Sequence, residues 1–126
     1  MKIFIADDST LFCKQVSELF CEVSGLEIVG QAQSIQAAFD AIGVLMPDVV
    51  MLDIQMFGGS GIDWLRKIRQ ANAAWVVVIL TNYSSPPYRK KCMQAGADFF
   101  FDKAIEMNEV KCLMQDLLPR FNKVKL

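Results

Sequence analysis

Three acids, one hydroxyl and one ammonium stand where short apolar runs end. Asp7 and Asp8 follow Ile3-Phe4-Ile5-Ala6, and Asp53 follows Val49-Val50-Met51-Leu52. Thr81 follows Trp75 to Leu80, and Lys103 comes just after Phe99-Phe100-Phe101. Three carboxylates brought together repel one another, so at least one pKa should rise unless a cation joins them. With only oxygen ligands on offer, that cation is hard, Mg²⁺ with Mn²⁺ as the alternative. A carboxylate beside such a metal can attack a phosphoryl group and form an acyl phosphate. The charge on the transferring oxygens then needs donors, which the metal, the Lys103 ammonium and the Thr81 hydroxyl can supply. Taken singly, each residue has an ordinary role. Asp7 and Asp8 would suit the start of a helix, where negative charge is favoured, Thr81 a loop, and Lys103 a surface. Their joint placement on one edge separates the two readings.

The elements that must position these groups alternate along the whole chain. Ile3 to Ala6 reads as a strand. Ser9 sits at a helix N-cap, followed by the apolar face Leu11, Phe12, Val16, Leu19, Phe20 and Val23, with Ser24-Gly25 as the stop. Leu26 to Ala32 is a second strand. Ser34 caps a helix through Ala38, Phe39, Ile42 and Leu45 that Pro47 ends. Val49 to Leu52 is a third strand. A glycine-rich loop, Phe57-Gly58-Gly59-Ser60-Gly61, leads into a helix carrying Ile62, Trp64, Leu65 and Ile68. Trp75 to Leu80 has no alternation, as suits a parallel strand buried on both faces. Pro86-Pro87 opens a fourth helix that ends at Ala95-Gly96-Ala97. Phe99 to Phe101 is a fifth strand, and Val110, Leu113, Met114, Leu117, Leu118 and Phe121 form the stripe of a last helix. The expected fold is α/β, a doubly wound (βα)5 domain with a five-stranded parallel sheet covered on both faces. Ligands bind such folds outside the carboxyl ends of the strands, the edge on which the five groups fall.

Composition narrows the function further. The 126 residues suit one domain, and 53% hydrophobic against 21% charged residues supports a real core. Thirteen basic and fourteen acidic residues leave a net charge of −1, so there is no electrostatic case for direct nucleic-acid binding. Arg89-Lys90-Lys91 and Arg120 to Lys125 read as solvated helix surface and a terminal fringe. No apolar run reaches the ~18–20 residues of a membrane span, and no signal peptide is present. A soluble, cytoplasmic protein without membrane contact is expected. The chain has no histidine and four cysteines without a C-x-x-C pair, which removes a zinc site, a Cys-His nucleophile and a histidine base. Cys13, Cys92 and Cys112 fall on helical patterns and read as small buried hydrophobes.

The motifs Ile5-Ala6-Asp7-Asp8-Ser9, Val49 to Met56 with Gly61, Leu80-Thr81, Gly96-Ala97-Asp98 and Phe100-Phe101-Asp102-Lys103 resemble those of the response-regulator receiver domains of two-component signal transduction. The likeness runs from about Lys2 to Leu118, so residues 1–126 read as one receiver domain. It implies a flavodoxin-like strand order 2-1-3-4-5, shared with chemotaxis regulators, and the work of a switch rather than an enzyme. Asp53 would be the phosphoacceptor. Asp7, Asp8, Asp53 and the Gln55 backbone carbonyl would bind Mg²⁺. Lys103 would pair with Asp53 before transfer and with the phosphoryl oxygens after it. Thr81 and Phe100 would be the switch pair, Phe100 rotating inward, and would alter the face made by the fourth helix, fifth strand and fifth helix. The donor would be a sensor histidine kinase or a phosphotransfer protein. The output would be a protein partner, a further output domain such as that of a transcriptional regulator, or a phosphorylation-dependent homodimer. The fringe after Arg120 favours a stand-alone receiver over one cut from a longer regulator.

Three positions depart from the family pattern. Phe57 and Ala104 stand where proline is usual, and Asn82 where a small residue is usual. Gln55, Asn82 and Tyr83 flank the path of a hydrolytic water, so slow self-dephosphorylation is expected. Two other classes compete. A small-molecule phosphatase working through an aspartyl phosphate would want an acid where Gln55 stands, and glutamine does no acid–base work. A receiver that binds partners without phosphorylation would not need Asp8, Asp53, Thr81 and Lys103 intact.

Overall fold

The computed structural model describes residues 1–55, 61–72, 74–82 and 84–121. Ten elements alternate: β1 (Lys2–Ala6), α1 (Thr10–Cys21), β2 (Glu27–Ala32), α2 (Ile35–Leu45), β3 (Val49–Leu52), α3 (Gly61–Ala71), β4 (Val76–Thr81), α4 (Pro86–Ala95), β5 (Phe99–Asp102) and α5 (Met107–Phe121). The strands form one parallel sheet in the order β2-β1-β3-β4-β5, the order the family resemblance implies.

The unalternating apolar runs are the sheet's centre. Every residue of β3 and β4 is buried, because helices cover both faces there. Strand period two divides the side chains between two cores. Phe4, Ala6, Val50, Leu52, Val77 and Ile79 face one side, with Ala38 and Ile42 of α2, Trp64, Leu65 and Ile68 of α3, and Cys92 of α4. Ile3, Ile5, Val49, Met51, Val78 and Leu80 face the other, against Cys13, Val16 and Phe20 of α1 and Val110, Met114 and Leu117 of α5. Each such large side chain contributes about 1.5–3 kcal/mol on full burial.

Local signals set the helix ends. The hydroxyl oxygens of Ser9 and Ser34 accept the N–H of Phe12 (3.1 Å) and Ala37 (3.3 Å), each satisfying a first-turn donor. Pro47 disfavours the helical region for the residue before it, and Met46 leaves α2 with a left-handed φ of 47°. α4 starts on Pro86-Pro87 and ends at Gly96, whose φ of 119° suits a residue without Cβ.

Several strand boundaries shift by one residue from the sequence reading, and two differences bear on the packing and the site. α1 closes at Cys21, and Val23 follows in a turn. Thr81 is the last residue of β4 rather than the first of a loop. Cys112 is also not buried. The inward stripe of α5 is Val110, Met114 and Leu117, and Cys112 lies off its i, i+4, i+7 spacing. Cys21 and Cys112 are exposed free thiols, whereas Cys13 and Cys92 are buried, and burial pushes the Cys92 thiol up to about 11. A disulfide reagent at pH 8 should therefore titrate two thiols quickly in the native protein and all four after denaturation. Fast modification of three or four native thiols would contradict this packing.

Candidate functional site

The site lies at the carboxyl ends of β1, β3, β4 and β5, and its residues are tied down by the sheet itself. The hydrogen-bond ladder runs one residue past β1, β3 and β5. Asp7 N–H donates to Ala32 C=O (3.0 Å), Asp53 N–H to Ala6 C=O (2.9 Å) and Lys103 N–H to Thr81 C=O (3.0 Å). Each reactive side chain thus inherits the register of a buried strand.

Asp7, Asp53 and Thr81 are buried, with 1%, 8% and 0% exposure, while Asp8 is exposed. Carboxylate oxygens of Asp7, Asp8 and Asp53 lie within 4.8 Å of one another. The Lys103 ammonium sits between two of them. It donates to Asp53 Oδ2 at 3.0 Å and forms an ion pair with Asp7 Oδ2. The second oxygen of each acid is held by backbone. Asp7 Oδ1 accepts Ser9 N–H (2.9 Å), and Asp53 Oδ1 accepts Gln55 N–H (3.0 Å). Burial pushes the Asp7 carboxyl up, against the opposing pull of Lys103 and the Ser9 N–H. Burial alone would lower the Lys103 ammonium, but its contacts with Asp7 and Asp53 outweigh this and hold it above the usual lysine value.

Three carboxylates against one ammonium leave the cluster short of positive charge. Its donors are all oxygen, two of the acids are buried, and the third opens to solvent. A small hard dication fits such a set.

The segment after Asp53 depends on one glycine. A Cβ on Gly61 would stand 2.2 Å from the Ile54 carbonyl oxygen and 2.6 Å from Ile54 Cα. Those are backbone atoms next to Asp53 and cannot swing aside. Gly61→Ala should cost about 1–3 kcal/mol, read as a lower urea midpoint with unchanged slope; an unchanged midpoint would refute the close approach.

The turn bearing Lys103 explains the departure at Ala104. Asp102 Oδ1 accepts Ala104 N–H at 2.7 Å, a bond that proline could not make. Asp102 Oδ2 accepts the Ser84 hydroxyl at 2.5 Å, and this bond holds the Asp102 carboxyl below its usual range. Glu106 Oε1 accepts Asp102 N–H (3.0 Å) and lies 3.3 Å from Arg89 Nη2. Lys103-Ala104-Ile105-Glu106 is a self-bracing turn that does without proline.

Phe100 is buried, within the core formed with α2, α3 and α4. Arg89 is not merely solvated surface. Its guanidinium stacks 4.8 Å from the Phe100 ring centroid and donates to Phe100 C=O (3.2 Å). Asn82 is exposed beside Thr81. Phe57 and Tyr83, with most of the glycine-rich loop and the chain end after Phe121, lie outside the described residues. One contact has no counterpart in the sequence reading. Lys103 Nζ lies 4.3 Å from the centroid of the Phe12 ring. Phe12 belongs to an apolar helical stripe, and its type and spacing carry no signal of a site.

A doubly wound parallel domain with an acid pocket and a lysine at the strands' carboxyl ends defines a class of phosphoacceptor switch domains. The chain belongs to the family described as "Response regulator receiver domain", whose pattern matches residues 3–115. It is 29% identical to Response regulator GacA of Pseudomonas aeruginosa over 110 residues, covering 87% of this chain and 51% of that protein. It is 32% identical over 108 residues to a protein-glutamate methylesterase/protein-glutamine glutaminase of Desulfotalea psychrophila, covering 84% of this chain and 30% of that protein. The chain therefore spans about half the length of the first of these curated relatives and about a third of the second. Among solved structures, the signal receiver domain of the putative response regulator NarL from Mycobacterium tuberculosis superposes with a TM-score of 0.84 at 25% identity, covering 93% of this chain and 94% of that one. The chain is a receiver domain of two-component response regulators, a regulatory phosphoacceptor domain. Among the described residues, no helix is long and apolar enough to cross a membrane.

Proposed function

We propose that Asp53 accepts the phosphoryl group, and that Asp7, Asp8, Asp53 and the Gln55 carbonyl hold the Mg²⁺ on which transfer depends, with Mn²⁺ able to replace it. The observation that carries this reading is the Lys103 ammonium, held between Asp53 Oδ2 and Asp7 Oδ2. A bound Mg²⁺ would supply charge neutralisation for the phosphoryl oxygens. The protein supplies the rest. An Asp53 carboxylate oxygen attacks phosphorus while the bond to the leaving group breaks, giving an acyl phosphate. Lys103 exchanges its carboxylate partner for a phosphoryl oxygen without leaving the pocket. The Thr81 hydroxyl, at the buried end of β4, is the third donor.

The acyl phosphate replaces the single negative charge of the Asp53 carboxylate with about −1.5 to −2 charges on the phosphoryl oxygens. Thr81 of β4 and Phe100 of the neighbouring β5 convert that charge into a change on α4, β5 and α5. Arg89 stacks on Phe100 from α4, so the same movement reaches the α4 surface. The donor is a sensor histidine kinase or a phosphotransfer protein. The reader is a protein partner, an output domain, or a second copy in a phosphorylation-dependent dimer. Incubation with acetyl phosphate and Mg²⁺ should add one phosphoryl group by intact mass, and EDTA should prevent it. Wild-type protein that stays unmodified with Mg²⁺, or is modified equally in EDTA, would overturn this reading.

A further inference from the structure

We propose that Phe12 is a positioning residue for phosphoryl transfer, with its ring face holding the Lys103 ammonium in line with Asp53. The inference rests on the phosphoacceptor reading above. The Lys103 side chain is only 9% exposed, and its Nζ has three neighbours: Asp53 Oδ2, Asp7 Oδ2 and the Phe12 ring, centroid at 4.3 Å. The two carboxylates attract the ammonium through their charge. The ring gives the ammonium a third, negatively polarised surface that no proton transfer or metal can neutralise.

That difference matters when Asp53 reacts. The Asp53 carboxylate stops being an anion once it becomes an acyl phosphate, and Asp7 is shared with the cation site. Among the described partners of Lys103, the aromatic face is the one that the reaction leaves unchanged. It keeps the ammonium placed for the phosphoryl oxygens, so little reorganisation is needed in the transition state. Phe12 can do this because Ser9 caps α1 through the Phe12 N–H (3.1 Å). The bond that starts the helix also fixes the ring's origin, three residues after Ser9 and next to the Asp7-Asp8 pair.

A packing role alone would depend on bulk, whereas a cation–π role depends on the ring. The test measures the rate of phosphoryl incorporation from acetyl phosphate at saturating Mg²⁺ for wild type, Phe12→Leu and Phe12→Trp, each also in a Lys103→Ala background. Phe12→Leu should be slower by about three- to tenfold, from the usual worth of such a contact. Phe12→Trp should return to within about twofold of wild type. In the Lys103→Ala background, Phe12→Leu should have no further effect. Equal rates for wild type and Phe12→Leu, equal losses in the Leu and Trp variants, or an undiminished Leu effect without Lys103 would each overturn the proposal. Should Phe12→Leu fail to fold, Phe12→Met, of similar volume and without a ring, takes its place with the same outcomes. Wild-type protein that takes up no phosphoryl group would instead refute the underlying phosphoacceptor reading.

Discussion

Asp53→Asn should take up no phosphoryl group from acetyl phosphate under conditions in which the wild type is modified once. The substitution is nearly isosteric. Its amide oxygen can still accept the Gln55 N–H that Asp53 Oδ1 accepts at 3.0 Å, so the β3 end keeps its shape. What is lost is the anionic oxygen that attacks phosphorus, and a neutral amide has no comparable nucleophile. The Asn side chain also contributes less to the cation site, so Mg²⁺ should bind more weakly. Intact mass after equal incubation is the measurement, with circular dichroism to show that the fold persists. Neither Asp7 nor Asp8 should substitute as acceptor. Asp7 is locked by Ser9 and Lys103 at 1% exposure, and Asp8 has no ammonium beside it among the described residues. Modification of Asp53→Asn at the wild-type level would place the acceptor elsewhere.

Lys103→Ala should have the second largest effect, on stability and on transfer together. In the folded protein the Asp7 and Asp53 side chains are 2% and 10% exposed, and Lys103 is their shared counter-charge. Removing it leaves two buried carboxylates facing each other. Breaking a buried pair from one side costs about 3–5 kcal/mol, so the urea midpoint in EDTA should fall steeply. A cation that binds only the folded state should restore part of the loss, and the midpoint gap between EDTA and Mg²⁺ should therefore be wider in the variant. The full difference should be present at neutral pH. Lys103 is held above its ordinary pKa of ~10.4, so its contribution to stability is complete below that value and disappears only as pH rises through the folded-state pKa. Phosphoryl incorporation should slow by about 100-fold or more, the usual loss when one preorganised donor to a developing charge is removed. A variant as stable as wild type in EDTA would show that the lysine does not neutralise the acids.

Much of the molecule was legible in its sequence because the signals are local. Short unalternating apolar runs rich in β-branched residues and bounded by turn residues suit strands covered on both faces, and Val49 to Leu52 and Val76 to Leu80 are buried. Ser9, Ser34, Pro47, Pro86 and Gly96 act within one helical turn, so their effects do not depend on the rest of the chain. Strands alternating with helices force a parallel sheet, and a parallel sheet gathers its carboxyl ends on one rim. That alone puts Asp7, Asp8, Asp53, Thr81 and Lys103 on the same rim.

How they meet was decided by packing. Register and helix rotation settle which atoms touch, and neither is written in the spacing of one segment. Lys103 bridges Asp7 as well as Asp53 because β1 lies beside β3 and the turn after β5 reaches over both. Arg89 looked like one of three solvated charges, yet the turn of α4 over β5 lays it on Phe100. Cys112 looked buried until the inward face of α5 was fixed by Val110, Met114 and Leu117. Ala104 looked like a missing proline, but Asp102 needs its N–H. Phe12 looked like one more apolar residue on a helical stripe. Only the seating of α1 against the strand ends brings its ring to the ammonium, since the charge it meets lies at the far end of the chain.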